Sequence, residues 1–316
     1  MLSASNVTLA AGLVLLGCSY SIPVLVAAWL LLGIGMGLGL YDSAFAALGR
    51  IYGEAARGAI TGITLIAGFA STVGWPLSAW GLDTIGWRNT CFAWAAAHIL
   101  IGLPINLLML PAVKGAKAAV AAAVKPRIPI DRTMVLQAFT FAAAWSVTGA
   151  MAAHMPRILE AAGATTVQAV TAGALFGPAQ VIARIIEAGF LSRYHPLLST
   201  RLACLTHPIG AAILAVAGGG AASVFSIFFG LGNGILTIAR GTLPLAMFGP
   251  KDYGYRLGLI GAPARMAQAA APLVFGLLID AMGIRVLIVS SALSLSALAA
   301  LCLLGPEPVA EPSSNA

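Results

Sequence analysis

No Asp, Glu, Lys or Arg occurs from Met1 to Tyr41, and then Asp42 enters an apolar stretch that runs to Leu48. Four more charges sit in equally apolar surroundings: Arg184, Glu187, Arg240 and Arg265. A charge at mid-helix in a membrane costs about 2.5 to 3.5 kcal/mol on insertion scales, so such groups face a bundle interior or an aqueous cavity. Asp42, Arg240 and Arg265 are therefore the candidates for binding a substrate or coupling its movement to an ion. Tyr41 and Gln268 are further polar candidates, with Trp75, Trp145 and His154 beside them. Proton coupling would need a carboxylate that burial favours in its neutral form, and Asp42 is the best placed. Each candidate has a plainer reading. Asp42 can pair locally with Arg50 or Arg57, Arg265 can snorkel or pack, and aromatics at these depths form packing layers or interface belts. Arg184 and Glu187, three residues apart, are within reach of each other and read as a structural clasp near a loop.

Other chemistries find no residues. His98, His154, His195 and His207 are scattered, without a carboxylate companion or a second His at helical spacing, so no metal site is expected. There is no G-x-S-x-G and no Walker loop, and "GIGMGLG" has Leu38 where a dinucleotide fingerprint needs its third glycine. No cofactor is expected, and neither is an enzyme. Cys18, Cys91, Cys204 and Cys302 lack paired spacing and read as small hydrophobes.

The elements that must position these charges follow from composition. The chain is 60% hydrophobic and 9% charged, with a mean hydropathy of +0.96. A soluble domain of 316 residues could not cover its surface with so little charge, so the class is a polytopic membrane protein. A span needs about 20 apolar residues. The expected spans are 5–20, 23–48, 58–80, 89–110, 133–153, 165–189, 200–217, 221–246, 257–279 and 285–305, an all-α fold of about ten helices. Nothing alternates with the ten-residue pattern of a barrel strand.

The net charge of +7 concerns the membrane and not nucleic acid. Arg50, Arg57, Lys114, Lys117, Lys125, Arg127, Arg132, Arg193, Arg201, Lys251 and Arg256 fall on one side. Arg88, Arg157 and Arg285 fall on the other. The positive-inside rule makes the first side cytoplasmic, and both termini with it. The N-terminus has no basic n-region, so residues 5–20 read as a span and not a signal peptide.

The longest hydrophilic stretch, residues 111–131, is a basic linker. It divides an N-terminal bundle of four spans (1–110) from a C-terminal bundle of six (132–306), with a disordered cytoplasmic tail at 307–316. The halves match at an offset of 197 residues: Gly33, Gly35 and Gly37 fall on Gly230, Gly232 and Gly234, and "DTIGWR" (Asp83 to Arg88) falls on "DAMGIR" (Asp280 to Arg285). Two parallel repeats of helical bundle is a transporter design. Residues 132–197 then have no counterpart in the first half.

With these residues in view, the chain resembles a major facilitator superfamily (MFS) transporter from its third span to its twelfth. "ARGAITG" (Ala56 to Gly62) is similar to the family's R-G-x-x-x-G entry to the fifth span. "GWR" (Gly86 to Arg88) is similar to the exit into the sixth. "GFLSR" (Gly189 to Arg193) resembles a second copy of the G-x-L-a-D-R loop that lacks its Asp. "TLIAGFASTVGWP" (Thr64 to Pro76) resembles a bacterial subgroup in which some members are linked to arsenite efflux. Trp29 stands where many proton-driven exporters of the family carry an Arg.

The resemblance implies a secondary transporter in the plasma membrane, a bacterial inner membrane, moving a small solute by alternating access, with proton-coupled efflux or uptake as its form. It places Asp42 in span four, Arg184 and Glu187 in eight, Arg240 in ten and Arg265 in eleven, around a central cavity. Arg184, Glu187, Arg57, Asp83, Arg88, Asp280 and Arg285 are then structural or gating charges. Three arginines against two carboxylates favour a small anion or a polar neutral solute. Asp42 and Arg240 occupy near-equivalent repeat positions and are expected to face each other or share the substrate.

Two alternatives stand beside this reading. A ten-helix drug/metabolite-type transporter would divide five and five. A truncated remnant of the resembled family would lack the opening helix pair, leaving Asp42's face to lipid, where unpaired polar groups cost several kcal/mol each. Such a chain should transport poorly, unless a longer native start, a partner or self-association supplies the wall.

Overall fold

In the computed structural model, residues 1–108 and 128–306 are described. Most of the linker (111–127), the tail (307–316) and the side chain of Trp75 lie outside the described residues. Among the described residues there is no strand. That follows from the solvent: in hydrocarbon every backbone N–H and C=O must be paired within the segment, and a helix does so without an edge.

The helices are α1 (Leu2–Gly17), α2 (Ile22–Gly39), α3 (Tyr41–Tyr52), α4 (Ala56–Gly68), α5 (Ala70–Ala97) and α6 (Leu103–Leu108). Then come α7 (Arg132–Ala161), α8 (Thr166–Ala174), α9 (Phe176–Gly189), α10 (Pro196–Ala217), α11 (Ala222–Phe248), α12 (Tyr253–Met282) and α13 (Val286–Cys302). Six continuous helical stretches among the described residues are long and apolar enough to cross a membrane, and Ile22–Gly68 (47 residues), Pro196–Phe248 (53) and Tyr253–Cys302 (50) exceed twice the length of one span. They hold turns at the expected breaks. Gly218–Ala221 and Gly283–Arg285 are single 3-10 turns.

The chain divides into two compact units, Met1–Ala47 with Ala70–Arg127, and Leu48–Phe69 with Ile128–Ala316. In the first, α1 lies along α2. A Cβ at Gly35 would stand 2.8 Å from the Leu9 side chain, and one at Gly39 would strike Ser5. The Ser5 hydroxyl donates to the Gly35 carbonyl at 2.7 Å. Arg88 Nη2 donates to the Ser19 carbonyl at 3.0 Å, and its guanidinium lies 4.4 Å from the Tyr20 ring, tying the α1–α2 turn to α5. Asn6 on α1 meets His98 at 3.1 Å, at the start of a π-helical turn over His98–Gly102.

In the second unit, most residues of α11 are buried. Its glycines admit two neighbours. A Cβ at Gly232 would collide with Thr206 of α10, and Cβ atoms at Gly230 and Gly234 would stand 2.7 Å and 2.6 Å from backbone oxygens of α9. Gly149 brings α7 equally close to the Gln268 carbonyl of α12, 2.8 Å from its would-be Cβ. That carbonyl lacks its usual helical donor because Pro272 has no N–H.

The repeat reaches into the packing. Gly35 against Leu9 and Gly232 against Thr206 are the same pair moved by 197 residues. The glycines of "DTIGWR" and "DAMGIR" both take positive φ, +79° at Gly86 and +57° at Gly283, which only glycine adopts cheaply. Gly86 breaks α5 into two rods there. The end of α13 is closed from outside: Arg201 donates to the carbonyls of Leu301 at 2.9 Å and Leu304 at 2.8 Å. Those are among the carbonyls that a helix cannot satisfy itself. Arg201→Ala should lower stability by about 2 kcal/mol, as expected for charge-assisted bonds. Thermal unfolding in detergent micelles reads this, with Arg201→Lys recovering part of the loss.

Candidate functional site

Asp42 does not lie in mid-helix. A continuous span over 23–48 is expected from the sequence, but Leu40 adopts an extended conformation (ψ −167°) that ends α2 and begins α3. Asp42 thereby occupies the first turn of α3, where unpaired N–H groups and the helix dipole favour a carboxylate. It is half-buried. Ser43 donates to the Gly37 carbonyl at 2.9 Å, satisfying an acceptor that the break releases. Tyr41 stacks on Phe45 one turn later, with ring centroids 5.4 Å apart. The face shared with Gly35 and Gly39 that an unbroken helix would give is interrupted at Leu40.

Within the second unit, Arg240 is 9% exposed on α11. Its guanidinium lies 5.0 Å from the Trp145 ring of α7. A buried cation over an aromatic face is a strong local attraction in a poor solvent for charge. Two turns toward the start of α11, Asn233 receives the Thr148 hydroxyl at 2.9 Å. Arg265 is exposed on α12 and Gln268 half-buried beside it. His154 Nε2 donates to the Pro272 carbonyl at 2.7 Å, so His154 joins α7 to α12.

A second group of charges gathers where α4, α9 and α10 meet. Arg57 of α4 faces Glu187 of α9 at 3.7 Å, with side-chain exposures of 28% and 2%. Ser199 of α10 donates to the same carboxylate at 3.4 Å. Arg184, one turn before Glu187 and 4% exposed, donates to the Thr64 carbonyl at 3.0 Å and to Gln180 at 3.1 Å. Its Nη1 lies against Gly68, where a Cβ would come within 2.4 Å. Spacing suggests that Arg184 and Glu187 serve each other; in the fold each reaches across to α4. In the adjoining loop, burial depresses the basicity of His195, and the Arg57 and Arg201 charges add to the effect. Its Nδ1 caps α10 by accepting the Leu197 N–H at 3.2 Å.

The remaining charges of the repeat motif differ between copies. Asp280 pairs with Arg157 of α7, Asp83 and Arg285 are exposed, and Arg88 holds the α1–α2 turn. Sequence reasoning missed Ser5, Asn6 and Thr64, small polar residues whose partners lie far along the chain. Among the described residues no cluster of three or more His, Cys, Asp or Glu could hold a metal ion.

Against known proteins, the architecture finds clear relatives. The fold is similar to the human organic anion transporter MFSD10 (TETRAN), with a TM-score of 0.72 and 14% identity, over 95% of this chain and 76% of that one. It is also similar to the MFS proton:xylose symporter XylE, with a TM-score of 0.69 and 11% identity, over 96% and 79%. Identities this low speak for the fold alone. Among curated proteins none matches the sequence significantly. The family model described as Major Facilitator Superfamily matches residues 1–243, which displaces the five-plus-five drug/metabolite reading. Polytopic apolar helices, paired repeats and this match together establish a multi-pass membrane protein of the transporter class: the chain belongs to the Major Facilitator Superfamily.

Proposed function

We propose that the protein is a secondary active transporter that moves a small solute by alternating access, with Arg240 as its principal binding group. The observation that carries this reading is the Arg240 guanidinium over the Trp145 ring, 9% exposed inside an apolar bundle. A planar cation recognises a carboxylate or another oxyanion with two donors, and the ring offers a face to a sugar or an apolar body. Asp42, Arg265, Tyr41 and Gln268 complete the proposed set. The span charges lean positive by one unit, which favours a small anion over a cation. An organic anion transporter and a proton:xylose symporter among the similar folds bracket the two solute classes worth testing.

Alternating access supplies a role for the second group of charges. Arg57–Glu187 and Arg184–Thr64 hold α4 on α9, and these contacts would have to part for one side of the transporter to open. We place this cluster, the basic linker and both termini on the cytoplasmic side of a plasma membrane. The division into an N-terminal bundle (1–110) and a C-terminal bundle (132–306) belongs to the same proposal, with α4 counted in the first by the repeat.

Reconstitution into proteoliposomes tests this, with small carboxylates and monosaccharides offered under an imposed proton gradient. We expect uptake of a carboxylate that Arg240→Gln lowers about tenfold or more, the scale of a lost charged hydrogen bond. Asp42→Asn should change its pH dependence. Wild-type uptake with unchanged pH dependence in both variants would sink the assignment.

A second reading rests on one contrast between the repeats. Gly230 and Gly234 are covered by α9, whereas a Cβ at Gly33 or Gly37 would meet nothing within 4 Å outside its own helix backbone. By the repeat, the Gly33–Gly37 face is where a helix of the α9 kind would lie, with small residues in the register of Ala179 and Ala183. A transporter in which that helix comes from a longer native chain, a partner or a second copy would be silent when reconstituted alone. The intact mass of the protein from its own membranes decides between an extended chain and a partner.

A further inference from the structure

The start of α10 is capped by a titratable residue. Helix caps are ordinarily Ser, Thr, Asp or Asn, whose side-chain oxygens keep accepting at neutral and mildly acid pH. Here the cap is His195, with an extended backbone (ψ 137°), and its Nδ1 accepts the Leu197 N–H at 3.2 Å. Pro196 stands between them and has no N–H, so the Leu197 N–H is the first donor of α10 that the helix cannot satisfy. Leu197 is 2% exposed, which leaves water little room to replace the bond. An Nδ1 that accepts carries no proton, so the neutral ring holds its proton on Nε2.

Acid reverses this arrangement. An imidazolium donates from both nitrogens and has no acceptor left for Leu197. It also sets a positive charge against the positive end of a helix dipole. Among the described residues, the charged groups around His195 are Arg57 from α4, Glu187 from α9 and Arg201 from α10. Arg193 and Tyr194 of its own loop are exposed. Burial disfavours the charged ring, and the Arg57 and Arg201 charges add to that effect. The fold therefore selects the neutral form, while the unfolded chain takes up the proton at higher pH. The contribution of the cap is fully present above the ordinary imidazole value of about 6.5. It is lost as pH falls through the lower value of the folded state.

We propose that His195 is a proton-operated latch on the loop between α9 and α10: a solvent proton taken up at Nδ1 breaks the bond to Leu197 and frees the loop from the start of α10. One turn into α10, Ser199 donates to Glu187 at 3.4 Å, and Glu187 faces Arg57 at 3.7 Å. The latch thus stands at the edge of the α4–α9–α10 junction, and the Ser199–Glu187 contact loosens when it opens. Where that junction parts in the proposed transport cycle, acid favours the parted form, a consequence that rests on the transport reading. The latch itself does not.

Amide hydrogen exchange of the full chain in detergent micelles tests it without any transport assay. A peptide covering residues 190–200 is followed at about pH 7.5 and about pH 5, on either side of the imidazole range. Each rate is corrected for intrinsic exchange at its pH and set against a peptide from the middle of α11. We expect the corrected exchange of the wild type to rise about fivefold in acid, the scale of a lost helix cap. In His195→Asn, which caps without titrating in this range, the two corrected rates should agree. Should that variant fail to fold, His195→Ser gives the same comparison. Glu187 is the other titratable group at the junction, and Glu187→Gln should keep the response of the wild type. No acid response in the wild type overturns the proposal. So does a response that survives in a folded His195 variant, which would assign it to Glu187.

Discussion

Gly234→Ala should lower the stability of the protein by about 2 kcal/mol, the cost of overpacking a tight contact. Gly37→Ala, at the same position of the other repeat, should raise it by up to about 1 kcal/mol. The new methyl at Gly234 would stand 2.6 Å from the Gln180 carbonyl and 2.9 Å from Ala183 Cβ. A backbone oxygen cannot swing away as a side-chain tip can, so α9 and α11 must separate along several turns. At Gly37 the new methyl would meet nothing within 4 Å outside its own helix backbone. There the substitution meets only the intrinsic preference of a helix for alanine over glycine.

Unfolding of the purified chain, by heat or by detergent titration, reads both values. Opposite signs would establish that identical motifs carry different structural loads. A loss at Gly37 as large as that at Gly234 would show instead that a helix covers the Gly33–Gly37 face in the purified protein, and would remove the ground for the second functional reading.

Glu187→Ala should cost about 3 kcal/mol, because it strands the Arg57 guanidinium against a surface built for a carboxylate. The figure sits at the low end for a broken buried pair, since the Arg57 side chain is 28% exposed and can turn toward water. Replacing both partners by apolar residues of similar length, Arg57→Met with Glu187→Leu, should return to within about 1 kcal/mol of the wild type. That follows because the desolvation of two charges disappears along with their attraction. A double-mutant cycle separates the coupling from the packing losses. No coupling would mean that Arg57 and Glu187 are neighbours without energetic consequence, and that α4 is held on α9 by Arg184 and apolar contacts alone. If the pair also belongs to a closing contact of the transport cycle, the apolar double variant should keep its stability while its uptake rate changes.

Much of this was legible in the sequence. The length and charge of each apolar run fix a helical membrane protein, because the bilayer penalises an unpaired backbone group or an isolated charge wherever it falls along the chain. The repeat was legible too. Gly86 and Gly283 share a positive φ, and Gly35 and Gly232 admit equivalent residues of α1 and α10, because steric demands on a glycine are local and survive divergence. His154 and Gln268 were visible only as polar residues in apolar runs; that one bonds the Pro272 carbonyl of α12 and the other's carbonyl lies close against Gly149 required the pairing of α7 with α12.

Other features were decided by the tertiary structure. A charge in an apolar run announces that it needs company without saying whose. Arg57 and Glu187, or Arg184 and Thr64, lie more than a hundred positions apart, and their meeting depends on how α4 seats on α9. The break at Leu40 likewise left no glycine or proline signal at its own position, yet it moves Asp42 from mid-helix to a helix start. The sequence determined that this is a membrane-embedded pair of helical repeats with costly charges inside, since span length, apolarity and glycine sterics act residue by residue. Only the tertiary structure decided which partners make those charges affordable and which glycine faces are filled, since that depends on contacts between helices that the chain order does not specify.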